Sequence, residues 1–512
     1  MTMPEHVTDY LVVGAGPAGL QLAHLLHRGG HDYLVLDEGA APGGFFTKFP
    51  RHRQLISSNK RFTGSDDPEV NLRMDWNSLL SDDPSLVFTK YSEEYFPAAD
   101  DYVRYLADYA SRLDLNIQFG CRVREIARDG DEFVLTDQHG TRRRSRRVVV
   151  ATGLSVPNVP EIRGIELAEQ YSTVSTDPAE FTNQRVLIIG KGNSAFETAD
   201  NLVSTTAAVH IAGPKPVRLA WDTHFVGHVR AVNNNFLDTY ELKSGNAVLN
   251  VGVERIDRDD AGYHVRFRFS RGPRVVDYDR VIVCAGFRFD ATIFADGCRP
   301  ALDINDRFPE LTSGYESTSV DGLFFAGTLT QQLDYRVSTN GFIHGYRYGA
   351  RALYRLLDER YHGTTWPHTE LAADPAGWTR SVLARINRSS GLWQQFGELA
   401  DVLVVPGDGP VRHFEEMPLR HLADRAFEPT DTVFAVTLEY GPHPVGKKPF
   451  DGSIVHASEG EVTSFFHPVV RQYRAGELVA THHLDSDMEN RWQDGDGLTA
   501  FLADAVGTRV AT

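Results

Sequence analysis

The sequence predicts an α/β protein with two dinucleotide-binding (Rossmann-like) domains, the second inserted in the first, and a C-terminal α+β segment. Three observations carry this prediction. A strand, a glycine-rich turn and a helix open the chain. A second unit of the same kind begins at Val186, and an apolar strand followed by a long helix returns after residue 320. The implied division is 1–155 and 320–362 for the outer domain, 156–319 for the insert, and 363–512 for the C-terminal segment.

The first unit runs from the strand Tyr10 to Val13, through Gly14-Ala15-Gly16-Pro17-Ala18-Gly19, into helical Leu20 to His27. A second strand, Tyr33 to Leu36, ends in Asp37 and Glu38. Gly14 permits a tight turn, Gly16 lets backbone approach a pyrophosphate, and Gly19 allows close helix packing. The helix N-terminus supplies N–H donors and the positive end of its dipole. Asp37, 18 residues beyond Gly19, is placed to accept from a ribose hydroxyl. A loop-rich stretch to Pro97, a helix near Tyr102 to Ser111 and the strand Val148 to Val150 complete this part.

The insert begins with the strand Val186 to Ile189 and the turn Gly190-Lys191-Gly192-Asn193-Ser194-Ala195, which opens a helix to Leu202. Counting 18 residues from Ala195 reaches Gly213, so the ribose acid is absent. Lys215 and Arg218 follow it, and cations in place of the acid favour a 2′-phosphate, hence NADPH over NADH. Two dinucleotide folds in one chain indicate FAD fixed in the first and the nicotinamide coenzyme docking in the second. Ala151-Thr152-Gly153 and Cys284-Ala285-Gly286 both follow apolar strands, where the chain would pass between domains. Gly327-Thr328 ends another strand ahead of a helix from Phe342 to Leu357. That helix N-terminus would stabilise an anionic reduced flavin.

Composition excludes several other classes. With 52 basic against 69 acidic residues the formal charge is −17, which repels nucleic-acid backbones. No apolar run reaches the roughly 18 residues of a membrane span. The N-terminus enters a strand too soon for a signal peptide, so a cytoplasmic location is expected. The three cysteines, Cys121, Cys284 and Cys298, form no C-x-x-C pair, against both a disulfide framework and a dithiol reductase. The C-terminal histidines His456, His467, His482 and His483 lack metal spacing, and no metal site is expected. The basic run 142–147 reads as a solvated hairpin face or a phosphate patch, and WPHTELAADPAGW (366–378) reads as a linker.

The GAGPAG opening, the Gly43-Gly44 pair, Ala151-Thr152-Gly153 and GKGNSAFE resemble the flavin-containing monooxygenases, class B enzymes that use FAD and NADPH in one polypeptide. PRHRQLISSNKRFTG, NLRMDWNSLLSDDP, ATGLSVPN, GFIHGYRYGARALYRLL and FHPVVRQYR are similar to the FAD-dependent oxidoreductase domain-containing proteins of the animal endoplasmic reticulum, over most of the chain. The resemblance implies a flavin site of Gly14, Gly16, Pro17, Ala18, Gly19, Asp37, Glu38, Gly44, Phe45, Ser58, Val123, Ala151, Thr152, Gly153, Gly327, Thr328 and Phe342. It implies an NADPH site of Gly190, Gly192, Asn193, Ser194, Ala195, Glu197, Lys215 and Arg218, and a catalytic Asn59 supporting oxygen bound at flavin C4a. One departure is plain: the monooxygenase fingerprint F-x-G-x-x-x-H-x-x-x-W/Y appears as Ile162-Arg163-Gly164, with Ala168 and Ser172 at its last two positions.

The expected function is therefore a single-component FAD- and NADPH-dependent monooxygenase acting on a small molecule with O₂, as a homodimer and without a nucleic-acid or membrane partner. An NADPH oxidase or reductase releasing H₂O₂, and a binding protein with a structural flavin, are the alternatives. Trp221, His224, Arg230 and Asn233 to Asn235 would line the substrate side of the nicotinamide or cap loops. Asp334, Tyr335 and Arg336 lie near the expected flavin ring, as a structural Asp–Arg pair or, alternatively, as catalytic groups.

Overall fold

The computed structural model describes residues 6–242, 245–425, 427–441, 465–493 and 495–507. The outer domain is built on strands β1 (Val7–Val13), β2 (Tyr33–Leu36) and β3 (Arg142–Val150), with helix α1 (Pro17–Arg28) between the first two and α2 (Ala99–Arg112) further on. β1 lies between β2 and β3 and runs parallel to both. Its apolar run is buried on both faces, as a covered parallel sheet requires. The 142–147 run forms the solvent-side half of β3. Arg143 pairs with Asp137, Arg144 with Asp129 and Glu132, and Arg146 with Asp9, so its charge is used within the domain.

The insert repeats the pattern with β4 (Arg185–Ile189), α3 (Asn193–Leu202), β5 (Ala208–Gly213) and β6 (Arg280–Val283). β4 is parallel to β5 on one side and to β6 on the other. The chain then returns to the outer domain through β7 (Leu323–Phe325), parallel to β3, and helix α4 (Ile343–His362). Phe289, Phe294, Cys298, Leu311 and Val320 share one buried cluster with Leu11, Val13, Val148 and Phe325. Packing thus places residues from about 289 with the outer domain. The sequence reading put residues 289–319 in the insert because the next strand it finds is Leu323–Phe325.

The supposed linker is not one. Trp366 and Trp378 are buried, and His368–Leu371 is an edge strand of a six-stranded antiparallel sheet. Asp374 caps the helix Pro375–Ile386 by accepting from Ala376 and Gly377 N–H, with Pro375 in the first turn. Both tryptophans join one apolar core that runs from Tyr10 and Leu20 to Val402 and Phe434, so the C-terminal sheet and the outer domain are welded together. Among the described residues no helix is long and apolar enough to cross a membrane.

Arg347 fixes α4 against the loop that carries Trp76. Its fully buried guanidinium donates to the carbonyls of Leu72 (2.7 Å), Asp75 (2.9 Å) and Ser78 (2.6 Å). Arg347→Met removes these charge-assisted bonds and strands three carbonyls. A stability loss of about 3 kcal/mol is expected, read as a lower urea midpoint.

Candidate functional site

A cavity of about 940 Å³ opens where the parallel strands of the two sheets present their glycine turns to each other. Gly16, Pro17 and Ala18 line one side, and Gly190, Gly192, Asn193 and Ser194 the other. The two cradles are built alike. Gly14 (φ +107°) lies under the chain leaving β3, where an added Cβ would stand 2.8 Å from the Ala151 carbonyl oxygen. Gly190 (φ +133°) lies under the chain leaving β6, where a Cβ would stand 2.1 Å from the Cys284 carbonyl oxygen. Gly16 and Gly192 face open space, and as the N-caps of α1 and α3 they leave the first helical N–H groups without a side-chain partner. Two uncapped helix N-termini with open glycine floors fit two pyrophosphates. These residues therefore fit FAD and a second dinucleotide.

Most expected flavin-site residues converge on this cavity. Phe45, Ala151, Thr152, Gly153, Gly327, Thr328 and Phe342 line it with Gly16 to Ala18. Gly14 and Gly19 support it from behind: a Cβ at Gly19 would stand 1.9 Å from the Gly14 oxygen. Gly44 opens a short helix beside it, after Gly43, whose N–H donates to the Ala15 oxygen. Asp37 accepts from Ala15 N–H (2.6 Å) and Gly39 N–H (2.8 Å), which locks the turn. Burial pushes its carboxyl above the ordinary range and these N–H groups oppose the rise. Glu38 points to solvent and pairs with Arg122, while Val123 is buried in the core behind; neither lines the cavity.

At the second cradle Glu197, Lys215 and Arg218 line the cavity and Ala195 is buried beneath it. Asn193 is a loop clamp: its amide donates to His228 O (2.9 Å), and its oxygen accepts from Arg230 N–H (2.9 Å) and Asn233 Nδ2 (3.0 Å). Glu197 accepts a hydrogen bond from the Tyr171 hydroxyl, and burial pushes its carboxyl up to about 7. Lys191, which sequence reasoning passed over, fills the place of the missing ribose acid. Its methylenes run 3.3–3.5 Å from where a Gly213 Cβ would be, and Nζ donates to Lys215 O (3.0 Å). Burial lowers its ammonium to about 8. The only sequence signal was a lysine at an arbitrary turn position.

Several expectations change. Asn59 is buried outside the cavity lining, and its amide nitrogen donates to Ser92 O (2.9 Å) and Glu94 O (3.1 Å). Both of its donors are spent on these carbonyls, so none is left for bound oxygen. Ser58 sits beside it, also outside the lining, and its hydroxyl accepts from Arg230 (3.2 Å). Asp334 does not pair with Arg336. It accepts from Asn340 N–H (2.8 Å), and burial raises its carboxyl well above the ordinary range, while Arg336 lies over the Tyr335 ring. Trp221 and His224 do not line the cavity; Arg230 does. In the altered fingerprint Gly164 (φ +83°) is kept by packing, since a Cβ would stand 1.9 Å from Ile256 O. Ala168 is buried.

His344, in the first turn of α4, was not singled out from the sequence. It lines the cavity and is 2% exposed, yet neither ring nitrogen has a hydrogen-bond partner. Burial, with Arg347 and Arg230 nearby, holds it neutral, well below its usual range. Leaving two such nitrogens unsatisfied costs about 1–3 kcal/mol each, a cost that cavity contents can remove. Farther off, His467 Nε2 and His483 Nδ1 bond each other (2.9 Å), no cluster of three metal ligands occurs among the described residues, and His456 lies outside them.

Paired glycine cradles around one cavity define a flavoprotein with two dinucleotide-binding domains. The profile of the pyridine nucleotide-disulphide oxidoreductases matches residues 11–327, and the chain belongs to that family. It is 41% identical over 526 residues to FAD-dependent oxidoreductase domain-containing protein 2 of Mus musculus, covering 95% of this chain and 78% of the relative. Flavin-containing monooxygenase FMO GS-OX-like 9 of Arabidopsis thaliana is 28% identical over 231 residues, 39% of this chain and 49% of the plant protein. The solved flavin-containing monooxygenase from Stenotrophomonas maltophilia has the same fold, with a TM-score of 0.54 at 23% identity, over 68% of this chain and 97% of that one. The chain is thus a flavin-dependent oxidoreductase. Its three cysteines are all free and buried, with burial raising each thiol, and none belongs to a C-x-x-C pair.

Proposed function

We propose that this chain is an FAD- and NADPH-dependent monooxygenase acting on a small molecule, with oxygen transferred to a nucleophilic nitrogen or sulfur. The observation that carries this reading is the single cavity shared by both cradles, in a chain with no C-x-x-C pair to take electrons onward. Bound FAD supplies the ring that accepts hydride and reduces O₂. The chain's own residues bind and orient. Turns 14–19 and 190–195 hold the two pyrophosphates, the uncapped N-termini of α1 and α3 balance their charge, and the apolar walls exclude water. The overall balance is substrate + NADPH + H⁺ + O₂ giving oxygenated substrate, NADP⁺ and water.

Lys191, Lys215 and Arg218 would recognise the 2′-phosphate. Lys191→Ala is expected to raise the KM for NADPH about tenfold, the worth of one charged contact, and to leave that for NADH unchanged. The pH dependence follows from the same lysine. The phosphate prefers the ammonium form, which is lost as pH rises through about 8. The KM ratio NADPH/NADH should therefore climb above that pH, and Lys191→Arg should flatten the climb, both read by initial rates.

The reaction itself is tested by ¹⁸O₂ turnover with NADPH and a panel of amines and thioethers. One labelled oxygen per product is expected. H₂O₂ released one for one with NADPH across the whole panel would instead favour the oxidase, the reading that the altered 162–172 fingerprint supports.

A further inference from the structure

Arg230 is anchored in the insert, where its backbone N–H donates to Asn193, but its side chain reaches across to the outer domain. There its guanidinium donates to Ser58 and lies 4.6 Å from the centre of the Trp76 ring. It lines the cavity, and no carboxylate pairs with it among the described residues. Lys191 lies against Gly213 and donates to Lys215 O, while Arg218, whose carbonyl accepts from Val229 N–H, lines the cavity next to the segment that carries Arg230. The Trp76 ring also stacks on His344 at 4.3 Å, and Phe342 and Phe225 extend this aromatic wall. One corner of the cavity thus joins an unpaired cation, an imidazole with two unsatisfied nitrogens and three flat apolar faces.

We infer that this corner is a subsite for a ligand carrying a carboxylate on a flat, apolar body. The carboxylate accepts from the Arg230 guanidinium and from the His344 N–H, and the apolar body stacks among Trp76, Phe225 and Phe342. A neutral ligand would leave Arg230 desolvated and uncompensated, so the site selects for the anion. This inference rests on the cavity being a substrate chamber and adds the class of molecule it admits.

The test is equilibrium titration of the oxidised, flavin-loaded protein with 1-naphthaleneacetate and with its neutral amide, read by calorimetry and by the flavin absorbance. The acid should bind at least about tenfold tighter than the amide. Arg230→Gln should abolish that difference, Arg230→Lys should keep part of it, and His344→Phe should weaken the acid while preserving the stack. NADP⁺ affinity should stay within about threefold in all three variants. Equal binding of acid and amide, or binding of neither, would overturn the inference. So would a tenfold loss of NADP⁺ affinity in Arg230→Gln, which would assign Arg230 to the coenzyme. No turnover is involved, so failure of the monooxygenase reading shows separately, in the ¹⁸O₂ assay.

Discussion

Gly19→Ala should give a protein that purifies colourless. The added Cβ would stand 1.9 Å from the Gly14 carbonyl oxygen and 3.1 Å from its carbon, both backbone atoms that no rotamer change can clear. Relief requires α1 to lift from the turn. That displaces the N–H groups of its first turn and the Asp37–Ala15 bond that sets the loop. Gly327 packs on the same helix, where a Cβ would stand 2.7 Å from that of Ala18, so the second half of the domain shifts with it. Bound FAD per chain, measured from the visible spectrum of the denatured protein, should fall below about one tenth of wild type, a binding loss of several kcal/mol in a site built on close approach. Gly16→Ala is the matched control. Its Cβ meets no protein atom within 4 Å, so the protein should fold normally and lose affinity only through its encroachment on the ligand.

Gly190→Ala should separate the two sites. Here φ is +133° and the new Cβ would stand 2.1 Å from the Cys284 carbonyl oxygen, so the second turn cannot keep its shape. The outer domain has its own sheet and core, so the flavin should remain bound. The yellow variant should show an NADPH-dependent reduction rate at least about 100-fold below wild type, because hydride transfer depends on close positioning. Loss of flavin together with that rate would mean that the two cradles are not independent.

The glycine cradles were legible in the sequence because backbone sterics impose them. A turn that passes under a neighbouring strand excludes Cβ wherever it occurs, and the spacing of Gly14, Gly16 and Gly19 carries that requirement without any tertiary context. The order of outer domain, insert and return was legible for the same reason. Side-chain direction was not. Asn59 sits in a motif that suggests flavin chemistry, but carbonyls from Ser92 and Glu94, over thirty residues away in sequence, decide where its amide points. Lys191 occupies a position of no fixed character, and only the path of β5 past Gly213 gives it a role. Residues 366–378 combine proline with polar side chains, as linkers do, yet their two tryptophans bury themselves in the core shared by the outer domain and the C-terminal sheet. Composition averages over such anchors, and burial does not.

The most direct test of the account is anaerobic rapid mixing of the purified yellow protein with NADPH. One cavity holding both cradles predicts complete, saturable bleaching of the flavin, faster with NADPH than with NADH at equal concentration. Lys191→Ala should narrow that preference. A flavin that stays oxidised at saturating NADPH would contradict the account and leave a protein that keeps both folds without passing hydride between them.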